Sequence, residues 1–197
     1  MSVFAHIVRR CAAEPHTPLI VEADGVVYTY ADSVRLVSRW SRWLRREAAI
    51  REIRIAALLP NIALTHLLRV AAAEAGVVFT ALNPLMRGKS LMDALGRSHI
   101  TDLVLFRAGN GPAMDLNDLL LAEVDAFVVH WCDGQTIDFA TDRARAAVAS
   151  PQGFPPPAPC QTLVYTSGTS GPAKPVRIPA ELMFVYGRML FGNVERR

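Results

Sequence analysis

Cysteine is scarce in this chain of 197 residues: Cys11, Cys132 and Cys160 lie far apart, odd in number and without a C-x-x-C pair. That pattern excludes a disulfide framework, and a reducing compartment, the cytoplasm, is expected. The five histidines, His6, His16, His66, His99 and His130, lack metal-ligand spacing, so each is expected to pack or to face solvent. Aromatic residues make up only 8% and do not alternate with basic ones, as they would in a single-strand nucleic-acid binder. The formal charge of +3 is modest. Arg35, Arg39, Arg42, Arg45 and Arg46 gather on one expected helix, where they describe a solvated face and not a nucleic-acid patch. There is no uninterrupted membrane-length apolar run: the stretch 53–82 is broken by Arg54, Pro60, Asn61, His66, Arg69 and Glu74, so no membrane span is expected. Arg9 and Arg10 follow the first apolar residues instead of preceding them, the reverse of a secretory leader. Residues 1–15 read instead as a short amphipathic helix with Val3, Phe4, Ile7 and Val8 on one side. No internal repeat is present.

What is present is core-forming material. A hydrophobic content of 51% against 20% charged residues suits a folded chain of one large or two small domains. A run at 18–22, the turn signal Asp24-Gly25 and a run at 26–28 predict a hairpin. Thr29 is placed to cap the following helix, on which Val34, Val37, Trp40 and Leu44 recur at helical spacing. Strands are expected at 53–59, 77–81, 102–106 and 126–130. Helices are expected at 62–75, closed by Gly76, at 88–98 with Leu91 and Leu95 on one face, and at 115–121, after a loop at 107–112. Alternating strands and helices imply βαβ crossovers. The expected fold class is α/β, a largely parallel sheet with flanking helices.

The composition then changes. Pro151, Pro155, Pro156, Pro157 and Pro159 form a semi-rigid connector. Three parts follow: an α/β unit at 1–150, the connector at 151–161, and a strand, loop and helix at 162–197 that begin a further subdomain. Residues 163–174 read LVYTSGTSGPAK, an apolar strand running into a hydroxyl-rich loop. A strand at 176–178 and an apolar helix at 180–191, with Pro179 at its start, come after it. Gly168 and Gly171 permit positive φ and close backbone approach, and successive N–H groups in such a turn make an anion-binding concavity. Thr166, Ser167, Thr169 and Ser170 add hydroxyl donors, and Lys174 a flexible positive charge for phosphate oxygens. The phosphate-binding candidates are therefore Thr166, Ser167, Gly168, Thr169, Ser170, Gly171 and Lys174. The NTPase pattern G-x-x-x-x-G-K-[ST] does not fit: the glycines are three apart, the lysine comes three residues after the second, and Pro175 follows it. The bland alternative is a Ser/Gly turn without a ligand.

The string resembles the signature of the adenylate-forming (AMP-binding) enzymes, [YF]-T-S-G-[ST]-[ST]-G-x-P-K-G. Tyr165 to Gly171 match throughout and Lys174 stands at the lysine position, whereas Ala173 replaces the usual proline and Pro175 the usual glycine. Further segments resemble the N-terminal part of acyl-CoA synthetases in the same order. They are TYADS at 29–33, LPN at 59–61, AGVV at 75–78 and LNPL at 82–85. The resemblance implies the N-terminal, incomplete part of that family's fold, with ATP and Mg²⁺ as cofactors and coenzyme A as acceptor. It implies that the 166–174 loop binds the β- and γ-phosphates. The metal-binding glutamate, the ribose-binding aspartate and the mobile catalytic lysine of the family would lie beyond residue 197, so no catalytic residue or metal ligand is assigned here. Ala180 stands where many members have a histidine.

Two readings stay open at this point. In one, the chain is the N-terminal portion or a truncated form of an ATP-dependent acid–thiol ligase, inactive alone. Its partners are then a nucleotide and, once further chain completes the pocket, a carboxylic acid. In the other, it is a non-catalytic remnant, a nucleotide-binding or protein-interaction module, suggested by the departures at Ala173, Pro175 and Ala180. A sheet built to pack against later segments is expected to expose apolar surface that a second copy or partner chain would cover.

Overall fold

The computed structural model describes residues 2–86, 88–107, 127–139, 161–165, 174–179 and 182. The expected helices at 115–121 and 180–191, apart from Leu182, the loop at 107–112 beyond Arg107, and the proline connector at 151–161, apart from Gln161, lie outside these residues. Helix α1 (Val3–Ala13) opens on Ser2, whose hydroxyl accepts the Ala5 N–H at 3.1 Å. Strands β1 (Pro18–Val21) and β2 (Val27–Thr29) form the expected antiparallel hairpin. Gly25 turns it at φ 89°, and Asp24 accepts the Val26 N–H at 3.1 Å.

Thr29 caps α2 (Tyr30–Ala48) as expected, in a reciprocal capping box: its hydroxyl takes the Asp32 N–H at 3.1 Å and Asp32 takes the Thr29 N–H at 3.1 Å. On α2, Val37, Trp40 and Leu44 are fully buried, while Arg35, Arg39, Arg42, Arg45 and Arg46 are exposed. After β3 (Arg54–Leu58) comes α3 (Ala63–Ala75), which ends where Gly76 turns left-handed at φ 72°. Ile62, at the N-cap of α3, has no polar side chain. Glu22 of the hairpin supplies the missing acceptor, taking the Ala63 N–H at 2.5 Å. Then follow β4 (Val78–Ala81), α4 (Gly88–Arg97) and β5 (Asp102–Phe106).

Strand β6 (Val128–Cys132) begins and ends two residues later than the sequence reading placed it, because it pairs with β5 through Leu105↔Trp131 and Phe106↔Cys132. A short strand β7 (Ile137–Asp138) follows, antiparallel to β6. The sequence reading missed it, although Asp133-Gly134 repeats the turn signal of the first hairpin: Gly134 has φ 92°, and Asp133 accepts the Gln135 and Thr136 N–H groups. Strands β8 (Gln161–Tyr165) and β9 (Pro175–Pro179) complete a seven-stranded sheet in the order β7-β6-β5-β3-β4-β8-β9. Its five inner strands are mutually parallel and the two rim strands antiparallel.

Alternation along β3 divides the core. Ile55 and Ala57 join α2, α3 and Phe79 on one face, whereas Ala56 and Leu58 join Leu91, Ala94 and Leu95 of α4 on the other. The chain leaving β3 therefore passes to one face and the chain leaving β4 to the opposite one. Neighbouring strands that part in this way open a crevice at their carboxyl ends, the usual ligand position in an open α/β sheet. Among the described residues, no helix is long and apolar enough to cross a membrane.

Candidate functional site

Three of the sequence segments singled out above meet at the carboxyl edge of the sheet. Pro60-Asn61 is the exit of β3, Asn83-Pro84 the exit of β4, and Tyr165 the last residue of β8, which lies beside β4. Each asparagine stabilises its own exit. Asn61 Oδ1 lies 3.0 Å from His66 Nε2. Asn83 accepts the Leu85 N–H on its side chain at 2.8 Å and the Met86 N–H on its backbone at 2.9 Å.

Thr166, Ser167, Gly168, Thr169, Ser170 and Gly171 lie outside the described residues, but both ends of their segment are placed. Tyr165 and Pro175 face each other as register partners across the β8–β9 pair. The stretch 166–174 is thus the connection of an antiparallel hairpin, and its mouth stands at the carboxyl edge. Lys174, immediately before β9, is exposed. Pro175 opens an edge strand and Pro179 closes it, positions that tolerate a residue with no N–H to donate.

Tyr165 has a second role that its sequence context does not announce. With Leu163 it points to the α4 face, where it packs against the Ala56–Leu58 cluster. Its hydroxyl donates to the Ala94 carbonyl at 2.6 Å and accepts from the Ser98 hydroxyl. Burial pushes the Tyr165 phenol above its ordinary value of 10.0, with the Ser98 hydrogen bond opposing. Only the fold could reveal this, since Ala94 and Ser98 precede Tyr165 by 71 and 67 residues.

The opposite half of the carboxyl edge is unsuited to phosphate. A cleft of about 540 Å³ between the first hairpin and the β6–β7 turn is lined by Glu22, Asp24, Asp32 and Asp133, against one cation, Arg35. Each carboxylate already has a local task. Glu22 caps α3, Asp32 belongs to the capping box, and Asp24 and Asp133 brace their turns. Beyond this cleft, the Arg107 guanidinium stacks on Trp131 at the end of β5 and β6, and Lys174 stands exposed on the β8–β9 side. No group of three or more potential metal ligands exists among the described residues.

The amino end of the sheet holds a charge cluster of a different kind. Fully buried Asp102 receives both Arg51 guanidinium nitrogens at 2.7 Å, His130 Nε2 at 2.9 Å and the Thr101 hydroxyl at 2.6 Å. Burial would raise the Asp102 pKa, but the hydrogen bonds from Arg51, His130 and Thr101 outweigh it and hold the carboxyl below its ordinary 3.8. His130, expected to be a packing or surface residue, is a packing residue, its ring edge-on to Trp43 at 5.1 Å and 5.2 Å from that of Phe139. The cluster lies at the end of the sheet away from the loop and ties β5 and β6 to the segment after α2.

Solved structures share this architecture. A fatty acyl-CoA synthetase of Mycobacterium tuberculosis superposes with a TM-score of 0.64 at 22% identity over 91% of this chain and 35% of its own. ATP-bound MatB of Rhodopseudomonas palustris gives 0.69 at 20% identity over 98% of this chain and 38% of its own. VinN in complex with L-aspartate gives 0.67 at 22% over 98% and 52%. The chain therefore spans between about a third and a half of the length of these proteins. Among curated protein sequences, none matches. The profile of the family described as "AMP-binding enzyme" matches residues 7–189, nearly the whole sequence. On that match, the chain belongs to the AMP-binding enzyme family.

Proposed function

We propose that this chain is the N-terminal part of an ATP-dependent acid–thiol ligase, and that its 166–174 loop holds the β- and γ-phosphates of ATP. The observation that carries this reading is the register pair Tyr165↔Pro175. It anchors a loop with the sequence TSGTSGPAK at the carboxyl edge, on the side away from the acidic cleft. The roles follow from charge and geometry. Backbone N–H groups around Gly168 and Gly171 and the hydroxyls of Thr166, Ser167, Thr169 and Ser170 would bind phosphate oxygens, and Lys174 would neutralise them. Chemistry at the α-phosphorus then consists of positioning and charge stabilisation. A carboxylate oxygen attacks the α-phosphorus and pyrophosphate leaves, giving an acyl adenylate. The thiol of coenzyme A next attacks the acyl carbon, and AMP leaves. Mg²⁺ would arrive on the phosphates, which commonly supply most of its non-water ligands. The chain supplies the phosphate grip, and the acid pocket, the metal-binding carboxylate and the second half-reaction require further residues, so the chain is inactive alone.

Titration calorimetry with Mg·ATP tests the reading. Saturable binding by the wild-type chain that weakens at least tenfold in Lys174→Ala is expected. Absence of binding, or equal binding by the variant, refutes it. The departures at Ala173, Pro175 and Ala180 support a second reading, a non-catalytic module that binds nucleotide or protein. It predicts that the longest gene product still fails to release pyrophosphate from ATP with any carboxylate, whereas the ligase reading predicts release.

A further inference from the structure

We infer that the Tyr165 hydroxyl is a latch that fixes the start of the phosphate loop to helix α4, with Ser98 as a positioning residue acting through it. The inference rests on the phosphate-binding reading of the 166–174 loop and adds two residues that no phosphate contact would identify.

Strand β8 does not follow β4 to its end. The described β4–β8 pairing consists of Phe79↔Thr162 and Thr80↔Leu163, so among the described residues Val164 and Tyr165 have their register partners on β9. Strand β9 is itself the rim of the sheet. Val164 is 41% exposed and its partner Val176 45%, so the face of the hairpin opposite Tyr165 contributes little burial. The mouth of the loop would rest on a two-stranded ribbon, which is marginal in water, were it not for the Tyr165 side chain.

That side chain meets a rigid partner. The Ala94 carbonyl accepts both the Ser98 N–H at 3.2 Å and the Tyr165 hydroxyl at 2.6 Å, which uses both of its lone pairs. The single phenol proton goes to Ala94, so Ser98 donates its own proton to the phenol oxygen. Ser98 is 1% exposed, and its carbonyl accepts from Arg54 at 3.4 Å. His99 then terminates the helix at φ 50°, and the Ile100 N–H returns to Leu95 at 3.1 Å. A phenol held at one angle by two hydrogen bonds fixes where the Tyr165 backbone leaves the sheet. Phenylalanine would keep the packing and lose both bonds.

Hydrogen–deuterium exchange on the chain without nucleotide, for wild type, Tyr165→Phe, Ser98→Ala and the double variant, tests the latch. Each hydrogen bond lost should speed exchange in the 166–173 peptide by about two- to tenfold, with peptides of β3 and α3 unchanged. The double variant should be no faster than Tyr165→Phe, because Ser98 acts through the phenol. Unchanged exchange at 166–173, or acceleration spread evenly over all peptides, overturns the latch. The Kd for Mg·ATP is the second readout. It should rise in both single variants, more in Tyr165→Phe, which loses two hydrogen bonds, than in Ser98→Ala, which loses one. Wild-type affinity in both, alongside a loss in Lys174→Ala, overturns the positioning role. Failure of wild type to bind ATP would refute the phosphate reading instead, and the exchange data would still decide the latch.

Discussion

At the scale of the residue, two charged groups carry opposite lessons. Lys174 is exposed at the mouth of a loop, and it is one of two lysines among 21 basic residues, the other being Lys89. Lysine-directed acylation followed by peptide mass spectrometry can therefore report on it almost alone. Mg·ATP should protect Lys174 and leave Lys89, which pairs with Asp93 at 3.2 Å on exposed α4 surface, reacting at its original rate. Asp102 is the reverse case, wholly buried and useful only through its partners. Asp102→Asn would leave Arg51 with Glu47, at 3.4 Å, as its remaining carboxylate partner and should destabilise the fold by about 1–3 kcal/mol, measured as a shift in urea midpoint at pH 7. The folded-state pKa of Asp102 lies below its ordinary 3.8, so its contribution is complete above about pH 5 and disappears as pH falls through the folded value. The acid limb of the wild-type stability curve should flatten in Asp102→Asn. None of this was legible in the sequence, where Arg51, Asp102 and His130 are separated by dozens of residues and match no motif. Lys174 drew notice in the sequence because the residues that single it out, from Tyr165 to Gly171, are its near neighbours in the chain.

At the scale of the element, helix ends show how much the local sequence decides. The Thr29–Asp32 box and the Gly76 stop are written in adjacent residues and form as the sequence implies. Thr29→Ala removes one side-chain acceptor and should cost about 1 kcal/mol, read from thermal or urea unfolding. The start of α3 could not be foreseen in the same way. Its N-cap is Ile62, and the acceptor for its first N–H comes from Glu22 in a separate hairpin. Glu22→Ala should therefore lower stability by a similar amount and raise amide exchange at 63–65, while Glu22→Gln, which keeps an oxygen acceptor, should recover part of the loss. The hairpin at β6–β7 shows a different failure of local reading. Its Asp133-Gly134 turn carried the usual signal, but a two-residue strand has too little alternation to stand out beside β6.

At the scale of the whole molecule, cooperativity should follow the sheet order. Every residue of β3 is buried, and β4 and β5 flank it on both sides. β9 is an exposed rim strand. Native-state exchange should find the slowest amides in β3 and the fastest strand amides in β9, and the reverse ranking would contradict the topology. The same layout bears on Cys132, whose thiol burial raises to about 11. It should resist alkylation at neutral pH until β6 opens, while Cys11, on the partly exposed α1, reacts. The sequence by itself determined the α/β class, the alternation of strands and helices up to β5, and the caps at Thr29 and Gly76. All of these depend on residues close together in the chain, where period, turn chemistry and motif spacing act directly. Only the tertiary structure decided that β5 crosses back beside β3, that β8 joins the sheet next to β4, and that Tyr165 is held by α4. It also decided that Glu22, Asp24, Asp32 and Asp133 gather around one cleft at the carboxyl edge. Those outcomes depend on strand pairing and side-chain contacts between distant segments, which the fold selects by burial and electrostatics acting through space.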